Sequence, residues 1–300
     1  MKLIKILTMC LLTASLTAAA QKKTEILLWD ENPLEQTESK SERVKAQDFK
    51  KDPAITVYTP KNPSGKTVLM CPGGGYSHEA SAHEGHDMAD WYNAQGITYA
   101  VLKYRLPYGD NSIPLADAEQ AMRILRRYAD DLGVDPKKVG IAGASAGGHL
   151  ASTLATHYSS PETRPDFQIL FYPVVSMDAQ KTHMGSRKNL LGENPSDELV
   201  RLYSNELQVT PDTPKAFIML SSDDGAVPPA NSIDYYSALL ANKVNATLHA
   251  YPAGGHGWGF RDRFPYKRQW TGELEKWLSY IAFANKMDKP SILTCPSLKI

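Results

Sequence analysis

The chain has 300 residues, of which 42% are hydrophobic and 22% charged, values that suit a globular enzyme with a large core. Lysine plus arginine number 33 and aspartate plus glutamate also number 33, so no charge excess favours nucleic acid or an anionic membrane as a partner. Beyond the N-terminal segment, no stretch is long and apolar enough to span a bilayer.

The N-terminal segment has the pattern of a secretory signal peptide. Lys2 and Lys5 precede a mainly apolar run over residues 6–16, and three alanines ending at Ala20 precede Gln21. The apolar run is too short for a comfortable membrane anchor. We therefore expect residues 1–20 to be removed after Ala20, which makes the protein secreted or periplasmic, and residues 21–300 to form a single domain.

Cys71 and Cys295 are the cysteines left after such cleavage. Two distant cysteines do not make a disulfide framework. They pair in an oxidising compartment or stay as a buried or idle thiol, and the sequence leaves both outcomes open.

From residue 54 onward, strand and helix patterns alternate, while residues 22–52 are polar and predict a segment that wraps the surface. The predicted strands are 54–58, 67–71, 97–104, 139–142, 168–174, 215–221 and 246–250. The predicted helices are 86–93, 114–132, 148–157, 229–242 and 267–283. This alternation predicts an α/β fold with a mostly parallel sheet and helices on both faces. The polar stretch 177–214 is long and irregular between two strands, which is typical of a lid-like insertion.

The sequence Gly-Ala-Ser-Ala-Gly at 143–147 matches the nucleophile elbow G-x-S-x-G. A buried strand precedes it and a helix follows it, which is the context that the motif requires. The glycines leave room for a strained turn that exposes the serine oxygen above the sheet. We therefore predict that Ser145 is a catalytic nucleophile, with the N–H of Ala146 available to an oxyanion.

Three glycines follow the predicted strand 67–71, and Gly74 and Gly75 among them are the predicted partners of Ala146 in an oxyanion hole. A phosphate-binding loop is the alternative interpretation, but no G-K-[ST] sequence follows.

The general base is predicted to be His256, which lies between glycines after the last strand, whereas His149 and His249 are expected to be structural. Asp223 and Asp224 both follow the strand 215–221. The arrangement D-x-x-V-P favours Asp224 as the acid, and the chain order serine, aspartate, histidine then fits this fold.

These motifs carry a resemblance to a known family. From about Asp52 to Ala282 the sequence resembles bacterial secreted carbohydrate esterases of the α/β-hydrolase fold, especially the acetylxylan-esterase-like group. The matching segments are CPGGGY (71–76), YRLP (104–107), DPKKVGIAGASAGGHLAS (135–152), SSDDGAVPPANS (221–232) and GGHGWGF (254–260). In one departure, Pro72 stands where hormone-sensitive-lipase-like relatives carry a histidine, which bears on the subfamily and not on the triad.

Several residues near the catalytic motifs are candidate substrate contacts. Tyr76 and Trp258 present aromatic faces that suit sugar rings or serve in packing, and Glu84 and His183 contact sugar hydroxyls or lie on the solvated surface. His78, His83 and His86 form a cluster with neighbouring carboxylates, but the spacing is not that of H-E-x-x-H. We therefore expect no metal and no cofactor.

The resemblance implies a carboxylic ester hydrolase that removes acetyl groups from xylan or a related plant oligo- or polysaccharide. A general short-chain carboxylesterase or a feruloyl esterase is the alternative within the enzymes. A non-catalytic binding module on a hydrolase scaffold is the alternative from another class. A serine peptidase would carry a large extra domain for which this chain has no room, and a dienelactone hydrolase would have cysteine in place of Ser145.

Overall fold

The computed structural model describes residues 22–30 and 52–284. The predicted signal peptide at residues 1–20 lies outside these ranges, so cleavage after Ala20 stays a prediction. Cys295 also lies outside them, so only the sequence bears on its pairing with Cys71. Within the described ranges Cys71 has no disulfide partner; it is buried at the end of a strand, and burial raises the pKa of its thiol. No helix in the described ranges has the length and apolar character needed to cross a membrane.

Eight strands form a single sheet in the order β1-β2-β4-β3-β5-β6-β7-β8. Their bounds are β1 Lys22–Leu27, β2 Ala54–Thr59, β3 Gly65–Cys71, β4 Thr98–Lys103, β5 Val134–Ala144, β6 Gln168–Phe171, β7 Ala216–Ser221 and β8 Ala246–Tyr251. β2 pairs antiparallel with β1 and β4, and every other neighbouring pair is parallel. The prediction of a mostly parallel sheet is confirmed.

Helices cover both faces of this sheet, as predicted. Their bounds are α1 Ala89–Ala94, α2 Ser112–Arg127, α3 Ala129–Leu132, α4 Ala146–His157, α5 Met184–Leu191, α6 Asp197–Leu202, α7 Ala230–Ala241 and α8 Lys267–Ala284, with single 3₁₀ turns at His86–Met88 and Asn205–Leu207. Alternate residues of β3 point to opposite faces. Val68 and Met70 join a core with α1 and α8, whereas Leu69 and Cys71 join a core with α2, α4 and α7.

The expectation that residues 22–52 wrap the surface is wrong for Lys22–Leu27, which forms the edge strand β1. Its exposed lysines and glutamate made the segment look like a loop, although charged residues are common on edge strands because they discourage further pairing. Just beyond it, the Trp29 indole N–H donates to the buried Asp117 carboxylate at 2.8 Å. Arg105 pairs with the same carboxylate at 2.7 Å, so the edge strand is tied to α2.

The segment 177–214 contains α5 and α6 and is therefore more regular than the sequence predicted. Polar side chains cap both helices: His183 accepts a hydrogen bond from the Ser186 N–H, and Ser196 accepts one from the Leu199 N–H. The helices are too short for their periodicity to be visible in the sequence. The predicted strand 168–174 also ends early, at Phe171, because the backbone of the next residue has φ 35°.

Alanine substitutions at two glycines, Gly140 and Gly272, give a matched test of packing in this fold. A Cβ on Gly140 would lie 2.1 Å from the buried Phe167 ring, whereas a Cβ on Gly272 in α8 would meet nothing within 4 Å. We expect Gly140→Ala to lower the free energy of unfolding by about 1–3 kcal/mol. We expect Gly272→Ala to raise it by up to about 1 kcal/mol, because alanine favours helix. Urea titration of both variants measures the difference, and equal effects would contradict this packing.

Candidate active site

The candidate site is organised around the turn between β5 and α4. Ser145 occupies this turn with φ 54° and ψ −120°, a backbone conformation that is strained for any residue with a side chain. A Cβ on Gly143 would lie 2.1 Å from the Gly147 carbonyl oxygen, and a Cβ on Gly147 would lie 2.1 Å from that of Cys71. Both positions therefore require glycine, as the elbow interpretation predicted.

The structure brings Ser145, His256 and Asp224 into one hydrogen-bonded line. Ser145 Oγ is 2.8 Å from His256 Nε2, and His256 Nδ1 is 2.7 Å from Asp224 Oδ2. Asp224 Oδ1 accepts from the N–H groups of Ala226 and Val227, both at 2.9 Å. The buried carboxylate is thus fixed by its own loop while its second oxygen holds the ring. A proton on Nδ1 leaves Nε2 free to accept the serine proton.

The neighbouring carboxylate, Asp223, has a different position. Its two oxygens accept from the N–H groups of Gly255 at 2.8 Å and Gly254 at 3.1 Å. These hydrogen bonds lower the pKa of the Asp223 carboxyl, and the bond from Gly255 has the largest effect. Asp223 therefore holds the backbone of the loop that carries His256, whereas Asp224, which the sequence favoured, touches the ring.

The glycine loop after β3 passes directly beside Ser145. A Cβ on Gly73 would lie 2.9 Å from the Cβ of Ser145. Gly74 and Gly75 have φ of 131° and 63°, which glycine adopts at little cost. Within residues 22–30 and 52–284, the N–H groups of Gly74, Gly75 and Ala146 donate to no other residue. These three donors are the ones predicted for an oxyanion, and that role stays a prediction.

The insertion contributes two side chains to the rim of the site. His183 Nδ1 accepts from the Ser186 N–H at 3.1 Å, so the neutral ring carries its proton on Nε2. Burial, and then the nearby His256, lower the pKa of His183. A Cβ placed on Gly75 would lie 3.5 Å from the His183 Cε1, so the ring lies beside the glycine loop. Its Nε2–H is therefore a donor at the site for the predicted substrate contact. Asn189, which the sequence did not single out, donates to the Gly75 carbonyl at 2.8 Å.

The two aromatic residues predicted to contact sugar, Tyr76 and Trp258, are buried, so the prediction that their faces bind sugar rings is wrong. The Tyr76 hydroxyl is 3.0 Å from Nδ1 of the buried His149. The Trp258 indole N–H donates to Ser221 Oγ at 3.0 Å, and its ring stacks on Phe264 with centroids 4.1 Å apart. Their apolar faces are covered by neighbouring side chains, so both rings serve in packing.

The prediction that Glu84 contacts sugar hydroxyls is also wrong, because only 3% of the residue is exposed. Its carboxylate accepts from the Gly73 N–H at 3.0 Å and from the Tyr172 hydroxyl at 2.8 Å. Tyr172 was missed at the sequence level, and its ring lies edge-on to His256 with centroids 4.8 Å apart. Its place just after β6, the strand that pairs with β5, was a usable signal, because sites in parallel sheets form at the carboxyl ends of strands.

The histidine and carboxylate cluster at residues 78–87 is dispersed among separate partners. Glu79 accepts from the Tyr104 N–H at 3.1 Å, and burial raises the pKa of Glu79 to about 7. His86 Nδ1 lies 2.9 Å from the Tyr58 hydroxyl. In the part of the chain that the structure describes, no three such side chains converge in a way that could hold a metal ion.

A family model for the alpha/beta hydrolase fold matches residues 68–260. The chain belongs to this family. It is 45% identical over 231 residues to an acetylxylan esterase of Xylanibacter ruminicola, a match that covers 76% of this chain and 48% of that protein. It is 36% identical over 204 residues to an endo-1,4-beta-xylanase B of Butyrivibrio fibrisolvens, covering 63% of this chain and 32% of that protein.

Among solved structures, this alpha/beta hydrolase is similar to an acetyl ester-xyloside bifunctional hydrolase from Caldicellulosiruptor lactoaceticus. The TM-score is 0.76 at 37% sequence identity, and the match covers 87% of this chain and 97% of that chain. In contrast, the chain spans about half or less of the length of the two curated relatives above. The similarity in fold therefore extends over 97% of the solved relative.

The two adjacent aspartates give a matched test of the site. We expect Asp224→Asn to slow labelling by a fluorophosphonate about 10⁴-fold, because an amide on Nδ1 favours the wrong histidine tautomer. We expect Asp223→Asn to keep the labelling rate within about tenfold, since the amide oxygen can still accept one loop N–H. The labelling rates of both variants show which aspartate supports His256. A larger decrease in rate for Asp223→Asn than for Asp224→Asn would reverse the two roles.

The buried pair of Tyr76 and His149 predicts a pH dependence of stability. Burial lowers the pKa of His149 to about 4, against about 6.5 in an unfolded chain. As the pH falls from about 6.5 to about 4, the unfolded chain binds a proton that the folded chain refuses, so stability decreases by up to about 1.4 kcal/mol per pH unit.

In His149→Gln this contribution should vanish, because the amide keeps a donor and an acceptor for the Tyr203 carbonyl and the Tyr76 hydroxyl without titrating. Urea unfolding of both proteins across this pH range gives the comparison. Parallel stability curves for the wild type and the variant would show that His149 does not contribute.

Proposed function

We propose that this alpha/beta hydrolase is a serine esterase that removes acetyl groups from xylan or a related plant polysaccharide. The observation that carries the proposal is the hydrogen-bonded line from Ser145 through His256 to Asp224. Beside it are the N–H groups of Gly74, Gly75 and Ala146, which donate to no acceptor among the described residues. A nucleophile, a base, an acid and an oxyanion site are the parts that ester hydrolysis needs.

In the first half of the reaction, His256 Nε2 takes the proton of Ser145 Oγ as this oxygen attacks the acetyl carbonyl. Negative charge develops on the carbonyl oxygen, where the N–H groups of Gly74, Gly75 and Ala146 are available to stabilise it. Each such donor contributes about 3 kcal/mol to lowering the barrier. Asp224 stabilises the imidazolium, which then gives its proton to the departing sugar oxygen and leaves an acetyl-enzyme.

In the second half, water replaces the sugar. His256 Nε2 takes a proton from the water as its oxygen attacks the acetyl-enzyme carbonyl. The same N–H groups serve the second oxyanion. When this intermediate collapses, Ser145 Oγ recovers the proton from His256 and acetic acid leaves.

The acetylated polysaccharide is proposed from the relatives and from the insertion. One relative is an acetylxylan esterase and another a xylanase, and a similar solved structure is an acetyl ester-xyloside hydrolase. In the insertion, the apolar pair Leu190 and Leu191 packs into the core of the domain. It therefore contributes no apolar wall for a long acyl chain, which a lipase-type lid would provide.

The proposal predicts that the protein releases acetate from acetylated xylan and that Ser145→Ala loses this activity by several orders of magnitude while keeping its melting temperature. Acetylated mannan and pectin, assayed beside xylan, identify the polymer. A fluorophosphonate should label the wild type and not the variant, whereas a binding module would label in neither form.

A chain-length series of nitrophenyl esters separates the acetyl esterase from a general carboxylesterase. We expect kcat/KM to be highest for acetate and to fall towards octanoate. A higher value for octanoate, or full activity in Ser145→Ala, would contradict the proposed function.

A further inference from the structure

A buried carboxylate connects the two loops that the proposed reaction uses. Glu84 Oε2 accepts from the N–H of Gly73, the residue before the predicted oxyanion glycines, at 3.0 Å. Glu84 Oε1 accepts from the Tyr172 hydroxyl at 2.8 Å, and this hydroxyl accepts from the Gly259 N–H, also at 2.8 Å. Gly259 lies three residues after His256. A continuous series of hydrogen bonds thus runs from the glycine loop to the histidine loop.

Other contacts make this connection rigid. The Gly73 carbonyl accepts from the Ala80 N–H at 2.8 Å, so both polar groups of Gly73 are held by the segment that carries Glu84. The Phe260 N–H donates to the His83 carbonyl at 2.8 Å, which fixes the same segment to the histidine loop. The residue before the glycines is Pro72, which has no N–H of its own to hold this loop.

The partners of Glu84 favour a carboxylate at this position. The Gly73 N–H and the Tyr172 O–H both donate, and Glu84 offers each of them one oxygen. A glutamine that keeps its oxygen on the Gly73 N–H would turn its NH₂ group towards the Tyr172 hydroxyl, which already accepts from the Gly259 N–H and would lose the acceptor for its own O–H. A buried donor without an acceptor is costly, and the loop that carries it would shift to find one.

We propose that Glu84 is a positioning residue that, through Tyr172, fixes the oxyanion loop and the histidine loop relative to Ser145. The inference rests on the proposed function and assigns a role that the triad does not include. The Tyr172 ring adds a second route, because it packs edge-on against His256 at a centroid distance of 4.8 Å. A displacement of about 1 Å at such a site can reduce the rate by about 100-fold.

The test uses the full chain and two variants. We expect Glu84→Gln to lower kcat for nitrophenyl acetate by about 10-fold to 100-fold with KM within about threefold of the wild type. We expect Tyr172→Phe, which keeps the ring and removes the hydroxyl, to lower kcat by about tenfold with KM within about threefold of the wild type. The double variant should be little slower than Glu84→Gln, since both changes interrupt one series of hydrogen bonds.

Tyr99→Phe is the matched control. The Tyr99 hydroxyl is buried in the same region and donates to the Gly85 carbonyl at 3.0 Å, but it does not connect the two loops. We expect it to lose melting temperature as Tyr172→Phe does and to keep kcat within twofold. If Glu84→Gln does not fold, the comparison of Tyr172→Phe with Tyr99→Phe decides alone.

The outcomes separate the inference from the proposed function. An active wild type with unchanged kcat in Glu84→Gln, or with equal kcat in the two tyrosine variants, overturns the role of Glu84. A wild type that neither turns over the ester nor reacts with a fluorophosphonate overturns the proposed function itself.

Discussion

The constraint on which the site depends is the backbone of Ser145. A residue with a side chain at φ 54° costs about 1–3 kcal/mol, so the surrounding structure must impose this conformation. The parallel strands β3 and β6 enclose β5, and the helix that follows leaves so little space that Gly143 and Gly147 would clash with backbone if they carried a Cβ. The position of the serine oxygen beside His256 is therefore a property of the packed sheet and helix together.

The remaining parts of the site are attached to the ends of other parallel strands. Gly74 and Gly75 follow β3, Asp224 follows β7 and His256 follows β8. Two carboxylates after β7 hold two of these loops: Asp224 accepts from two N–H groups of its own loop, and Asp223 accepts from two N–H groups of the loop that carries His256. The alignment of the site is thus set first by strand register and then refined by carboxylates that accept backbone N–H groups.

The elbow, the histidine and the acid could be predicted because the information for each is local. Glycine spacing, a preceding strand and a following helix lie within a few residues of Ser145, and the D-x-x-V-P pattern separates Asp224 from its neighbour. The contacts of Tyr172 with Glu84 and of Asn189 with Gly75 join residues 88 and 114 positions apart. Sequence patterns report periodicity over a few turns, so they could not reveal these pairs, and Glu84 looked like a surface residue.

The edge strand and the insertion helices were missed for a related reason. β1 has a single inward face of few residues, and α5 with 8 residues and α6 with 6 are each shorter than the window of about 11 residues that a helical pattern requires. Their stability comes from partners that are distant in the chain, such as Asp117 for the segment after β1.

Asn189 links the insertion to the glycine loop in a way that matters for engineering. Its side chain donates to the Gly75 carbonyl, and its own carbonyl accepts from the Gly109 N–H at 2.8 Å. The insertion therefore cannot be exchanged as an independent cassette. A graft from another hydrolase that lacks an amide at this position would loosen the glycine loop, and under the proposed function the chimera would lose turnover for reasons unrelated to any new specificity.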